Sequence, residues 1–168
     1  HAEYTIRALE AGKHVICEKP MGMNAKECEM MLEAQKKAGK LLQIGYRLFY
    51  EPSHLFAKQI GNEQQWGKVK MIESSLGFRM GRPGIWRIDP KMGGGGAIMD
   101  LGVYCIQAAR RMVGMKPSRV LASGFVDEPN LYKGIFESMM FQMEFPNGSI
   151  SNTTTTFSSY VDRFHTAF

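Results

Sequence analysis

The chain has 168 residues, which fits one or two small domains. At 44% hydrophobic and 22% charged residues it has the composition of an ordinary globular protein. No apolar run approaches a membrane span and no signal-peptide pattern opens the chain, so no membrane partner is expected. The net charge of +5 suits anionic ligands, but Lys and Arg are scattered without a stripe or tail, so no nucleic-acid partner is expected. The three cysteines, Cys17, Cys28 and Cys105, show no metal-ligand spacing and read as buried, reduced thiols of a reducing compartment. His1, His14, His54 and His165 share no ligand spacing either, so no metal site is expected. The thirteen methionines read as core filler.

In chain order, Ala2 to Ala11 reads as a helix with Gly12 as its stop. His14 to Cys17 is a short apolar run, the length of a buried parallel strand, ending at Glu18-Lys19-Pro20. Asn24 with Glu27 resembles a capping box. The helix it opens runs to about Ala38, with Cys28, Met31, Leu32 and Ala38 near one face and Gly39 as the stop. Leu41 to Ile44 is the next buried strand, completing a βαβ unit whose crossover should be right-handed. Open parallel sheets bind ligands at the carboxyl ends of their strands, and Glu18-Lys19-Pro20 and Tyr46-Arg47 sit at two such ends. Pro20 biases Lys19 towards extended geometry, which aims its side chain out of the sheet; a salt-bridged strand end is the alternative.

From Tyr46 the character changes. Pro52 and Ser53 open a short helix to about Ile60, stopped by Gly61. Val69 to Leu76 reads as a strand and Gly81 to Met92 as loop. Four glycines, Gly93 to Gly96, then run into an amphipathic helix, Ala97 to Val113, closed by Gly114 and Pro117. Val120 to Val126 is a strand. Phe136 to Phe145 sets Met139, Phe141, Met143 and Phe145 on one face and Ser138, Gln142 and Glu144 on the other, the pattern of a half-buried antiparallel strand. Pro146-Asn147-Gly148 is a hairpin turn, and Ile150 to Phe157 pairs back with four threonines. The pattern is therefore α/β plus α+β, with one unit over 1–45 and an antiparallel sheet packed on helices over 46–168. His1 is not an initiator Met and the last residues are a strand-like run, so the expectation is the middle of a longer chain.

The glycine tract frees the backbone for positive φ and for close approach of a ligand to a helix N-terminus. Asp100 and Tyr104 are four residues apart on one helix face, which suits a proton-handling pair. The alternative is plain: glycines that cap a core helix, Asp100 in its first turn, and a packed Tyr104.

Gly12-Lys13-His14-Val15-Ile16-Cys17-Glu18-Lys19-Pro20-Met21, with Trp86-Arg87 and the run from Gly93 to Tyr104, resembles the glucose–fructose oxidoreductase family of NAD(P)-dependent sugar oxidoreductases, which also includes inositol dehydrogenases. The resemblance covers essentially the whole chain in order. It implies the remnant of a Rossmann-type parallel sheet followed by an antiparallel open-faced sheet packed on helices. Tyr104 stands where many members have His. The family's opening G-x-G-x-x-G turn is absent, so the chain by itself is expected to bind NAD(P) poorly and to be inactive, whereas a full-length parent would bind NADP or NAD.

What the resemblance implies chemically is hydride transfer to or from a sugar, polyol or related carbonyl or hydroxyl compound. Tyr104 would give or take the proton, and Lys19 would favour its phenolate, since a free phenol has a reference pKa of about 10. Asp100 would hold a substrate hydroxyl or Lys19. Glu18, Lys19, Pro20, Arg47, Trp86 and Arg87 would stand on the cofactor side. Tyr160 and Arg163 would approach the pocket or a dimer contact, with sheet packing as the alternative. The competing functions are NAD-dependent glycoside hydrolysis, against which Tyr104 speaks mildly, and a non-catalytic module assembling through its sheet. The expected partners are a small sugar-like substrate and further copies of the chain, joined through the antiparallel sheet. The expected location is the cytoplasm, or the periplasm if the parent carries an export signal.

Overall fold

The computed structural model describes residues 1–80 and 82–167; the side chains of residues 162–167 lie outside the description, Arg163 among them. The chain divides into two compact units, His1–Arg47 and Leu48–Phe168.

The first unit is helix, strand, helix, strand: α1 (Ala2–Glu10), β1 (Val15–Cys17), α2 (Ala25–Ala38) and β2 (Leu42–Ile44), with β1 and β2 parallel. The α2 boundaries follow from its caps. Asn24 Oδ1 accepts the Glu27 amide at 2.9 Å, and Gly39 closes the helix at φ 62°. Glu27 Oε2 reaches back to the Met23 amide at 2.9 Å, one residue before a capping box would place it. Leu32, expected on the packed face, is 53% exposed, because the inward stripe runs through Cys28, Met31, Gln35 and Ala38 and Leu32 lies to one side of it. Cys28 is half-buried rather than buried; desolvation and the adjacent Glu27 push its thiol pKa up, and it stays protonated at neutral pH. The expectation of strands buried on both faces is corrected. Ile16 of β1 is 78% exposed, because among the described residues the two-stranded sheet is packed on one side only.

The second unit begins with a 3-10 turn and α3 (Pro52–Glu63). The helix does not stop at Gly61; it runs on to Glu63 and ends at Gln64 in the left-handed region. Gly61 serves packing instead. A Cβ there would sit 2.6 Å from the Met112 carbonyl oxygen, on the helix that α3 crosses. That helix, α4, spans Val103–Val113 and is capped by Gly114 at φ 73°. Before it, Ile98–Gly102 is a π-helical turn rather than the start of one continuous α-helix: the Val103 amide bonds the carbonyl of Ile98, five residues back.

Five strands form the sheet among the described residues: β3 (Met71–Gly77), β4 (Arg119–Phe125), β5 (Ser138–Glu144), β6 (Ile150–Thr156) and β7 (Val161–Ala167), in the order β4-β5-β6-β3-β7. Neighbours run antiparallel except β3 and β6, which are parallel in the register Ser74↔Thr153. The β5–β6 hairpin closes as expected, with the Gly148 amide on the Phe145 carbonyl at 2.9 Å. One sheet face and α4 share a core of Val69, Ile72, Ala109, Met112, Phe141, Met143 and Phe145. A second cluster, Met80, Ile88, Ala97, Leu101, Tyr132, Ile135 and Phe157, lies under the loops and the π turn. The inward side of β6 is small and hydroxylic. Ser74 and Thr153 hydroxyls bond each other at 3.0 Å, and Thr155 is fully buried. These short side chains let the π turn come close: a Cβ on Gly102 would be 3.2 Å from Thr155 Cγ2.

A buried carboxylate holds the loops together. Glu137 accepts the Ser158 hydroxyl on Oε1, and the Asp127 and Glu128 amides on Oε2 at 2.8 and 3.3 Å. Burial works to raise its pKa, but the three donors outweigh it and hold the carboxyl below the usual range. Beside it Tyr132 donates to the Met80 carbonyl at 2.7 Å, and burial with the nearby Glu137 charge pushes the phenol up to about 12.

Two outcomes are expected. Gly61→Ala should destabilise the chain by about 1–3 kcal/mol, read from thermal unfolding, because α3 and α4 must part to admit a methyl group; an unchanged midpoint would refute the close approach. For Glu137 the folded pKa lies below the unfolded value of about 4.3, so its contribution is complete above that pH and is lost as pH falls through the folded pKa. The gap in melting temperature between wild type and Glu137→Gln should therefore be widest near neutrality and shrink below about pH 4. A gap that grows on acidification would contradict the assignment.

Candidate functional site

In the first unit the candidate residues gather at the carboxyl ends of β1 and β2. The Gly45 amide bonds the Cys17 carbonyl at 2.7 Å, which brings the two strand ends side by side. Glu18-Lys19-Pro20 leaves one end and Tyr46-Arg47 the other. The Glu18 carboxylate lies over Gly45, where a Cβ would meet it at 3.4 Å, an ordinary contact distance. Glu18 also accepts the Lys19 amide at 3.2 Å. The Lys19–Pro20 peptide is cis, and the His1 ring donates from Nδ1 to the Pro20 carbonyl at 2.6 Å. His1, which precedes α1, thus ties that helix to this loop. Glu18 and Arg47 are exposed; Lys19 and Pro20 are half-buried.

In the second unit the candidates gather around the glycine tract. Trp86 and Arg87 lie on a 3-10 turn, Trp86–Ile88. The Arg87 guanidinium covers the Trp86 ring at 4.5 Å from its centroid. Arg87 Nε is 3.2 Å from Asp100 Oδ2, an ion pair without the alignment of a hydrogen bond. Asp100 sits on the π turn, and Tyr104 is half-buried one residue into α4. The extra residue in that turn shifts Asp100 round the axis relative to the position a continuous α-helix would give it.

The glycines are held by protein. Gly94 and Gly96 have φ of 78° and 72°, as a side-chain-free approach requires. But a Cβ on Gly93 would overlap the Arg87 carbonyl, and one on Gly96 would overlap the Phe136 carbonyl. The Gly93 amide bonds the Asp89 carbonyl at 2.7 Å, and Gly96 pairs with Phe136 in a single parallel bridge. The tract's close approach is thus to its own backbone at both ends.

Two candidates named from sequence, Arg87 and Asp100, are therefore in direct contact. Tyr160 is 81% exposed. Sequence reading missed Glu137, which fastens the segment that Gly96 pairs with. Its signal was present: the alternation that turns Met139, Phe141 and Met143 inward turns Glu137 inward too. An acid on the apolar face of a strand is a buried acid. No group of His, Cys, Asp and Glu able to hold a metal ion occurs among the described residues.

Comparison with known proteins agrees with this architecture. Residues 54–167 match the family model described as the GFO/IDH/MocA C-terminal domain, and residues 1–46 match the oxidoreductase family with an NAD-binding Rossmann fold. The chain is 30% identical to trans-1,2-dihydrobenzene-1,2-diol dehydrogenase of Danio rerio, over 93% of the chain and 45% of that protein. It superposes on aldose-aldose oxidoreductase from Caulobacter crescentus, solved with glycerol, with a TM-score of 0.95 and 35% identity, over 99% of this chain and 50% of that one. For levoglucosan dehydrogenase in complex with NADH and levoglucosan the TM-score is 0.89 at 27% identity, over 99% of this chain and 48% of that one. The chain thus spans about half the length of the relatives it matches. With one family model covering the second unit and the other the first, the chain belongs to the GFO/IDH/MocA family of oxidoreductases.

Proposed function

We propose that the whole protein carrying this sequence is an NAD(P)-dependent oxidoreductase acting on a sugar, polyol or related carbonyl or hydroxyl compound. The observation that carries this reading is the Arg87–Asp100 ion pair on the π turn that leads into α4, where Tyr104 follows, in a chain of this family. The names of the relatives, an aldose oxidoreductase, a levoglucosan dehydrogenase and a diol dehydrogenase, support a hydroxyl-rich substrate.

The residues present fit the nicotinamide end of such a cofactor and not its pyrophosphate. Glu18, Lys19, Pro20 and Arg47 stand at the ends of parallel strands, where open sheets take ligands, while the sequence holds no G-x-G-x-x-G turn. We assign these four, with Trp86, to the cofactor side; Arg87, read from sequence as a cofactor-side residue, stands against the Asp100 carboxylate instead. The cofactor, NADP or NAD, supplies the hydride chemistry when bound. The chain's own residues manage position and one proton. Tyr104 donates or accepts that proton. Lys19 supplies the positive charge that favours the phenolate and polarises the substrate oxygen. Asp100 accepts a hydrogen bond from a substrate hydroxyl.

The sheet supports a second reading, of assembly. Its face away from α4 carries Leu121 and Met140, both about two-thirds exposed at 66% and 65%, around a shallow recess of ≈ 490 Å³ that also includes Glu73, Gln142 and Asn152. Exposed apolar side chains ringed by polar ones suit a second copy of the chain, and we assign that partner to this face. All three thiols are free, which suits the cytoplasm. No described helix is long and apolar enough to cross a membrane.

In the full-length protein, Tyr104→Phe should lower turnover by about 10²- to 10⁴-fold, with cofactor affinity nearly kept. Steady-state rates with a panel of aldoses and polyols, followed at the nicotinamide absorbance, check this; undiminished turnover would remove Tyr104 from its role. Met140→Glu should shift the protein towards a smaller species in sedimentation, and an unchanged distribution would clear the sheet face of a part in assembly.

A further inference from the structure

We infer that Arg87 is a positioning residue for Asp100, acting on substrate through that carboxylate rather than through the cofactor. The inference rests on the oxidoreductase reading for its kinetic consequence, but its structural grounds are separate.

Four observations converge. Arg87 Nε is buried and makes no hydrogen bond among the described residues; it lies 3.2 Å from Asp100 Oδ2, as an ion pair. The guanidinium plane is fixed by the Trp86 ring at 4.5 Å, which leaves it little freedom to swing towards another ligand. The Arg87 main chain is fixed as well, because Gly93 packs on its carbonyl so closely that no side chain fits between them. Finally, Asp100 is the more enclosed partner, its side chain 13% exposed against 39% for Arg87. A carboxylate so enclosed takes its orientation from what is fixed around it, and Arg87 sets an immobilised positive charge against its Oδ2.

The arrangement predicts dependence. Removing Arg87 matters only while Asp100 is there to be positioned. The test compares Arg87→Met, Asp100→Asn and the double substitution in the full-length protein, with Arg87→Lys as the conservative variant. Arg87→Met should lower kcat/KM for the sugar substrate by about 10- to 100-fold, the scale of a misplaced catalytic contact, with KM for NAD(P) unchanged. The double variant should be no slower than Asp100→Asn alone. Arg87→Lys should recover part of the loss, since it keeps the charge but loses the ring stacking. Losses that multiply in the double variant, or a raised cofactor KM with kcat intact, would overturn the inference. Melting temperatures of the same set provide a readout independent of turnover: the two single losses should not add. If the wild type turns over no sugar while the melting temperatures remain non-additive, the oxidoreductase reading falls and the Arg87–Asp100 coupling stands. Additive melting losses would remove the coupling itself.

Discussion

The second unit depends on two places where the backbone approaches itself too closely for any side chain. Gly93 lies on the carbonyl of Arg87, and Gly96 on the carbonyl of Phe136. Between them the chain takes positive φ at Gly94, a conformation that costs other residues roughly 1–2 kcal/mol. Each contact fixes a different neighbour. The first holds the turn that bears Trp86 and Arg87. The second attaches the start of the π turn to the strand-like segment at Phe136, which Glu137 in turn fastens to the loops at Asp127 and Ser158. Asp100 is therefore located from two sides, through backbone atoms, before any of its own side-chain contacts count.

Sequence logic recovered what local chemistry dictates. Asn24 and Gly39 bounded α2, Gly114 closed α4, and alternation in the Phe136–Phe145 run set the face of β5. It faltered where a residue serves a neighbour distant in the chain. Gly61 resembles a helix stop because glycine is poor inside helices, yet it is kept inside α3 for the crossing with α4. The parallel insertion of β3 between β6 and β7 leaves no trace in β3 itself, since strand pairing is settled by partners some 80 residues away. The candidate motif was legible as a string of residues. Its geometry was not, because a π turn and an α turn share the same composition, and only the bond from Val103 to Ile98 tells them apart.

That π turn lies close against the sheet beneath it. Gly102 sits over Thr155, with Ile98 Cγ1 3.0 Å from where a Cβ would be. A side chain at 102 would press on both β6 and the first residue of the turn, so glycine lets the segment rest on the sheet. The short Ser and Thr side chains of β6 complete the fit. Leucines in their place would lift the helix away from the sheet and with it Asp100 and Tyr104. The hydroxylic strand, read at first as mere β-propensity, is a spacer that sets the height of the site.

Magnitudes indicate what the Arg87–Asp100 pair is for. An ion pair with one partner 39% exposed is screened by solvent and contributes at most about 1 kcal/mol to stability. A core methylene would contribute nearly as much, at about 0.8 kcal/mol, and would not require an aromatic lid, a glycine fitted under the main chain and a π turn to present its partner. The apparatus is out of proportion to the stability gained. It is in proportion to orientation, since lysine would match the charge but could not present a flat guanidinium to a ring and a carboxylate at once. The arginine at this position is therefore explained by the direction it imposes on Asp100.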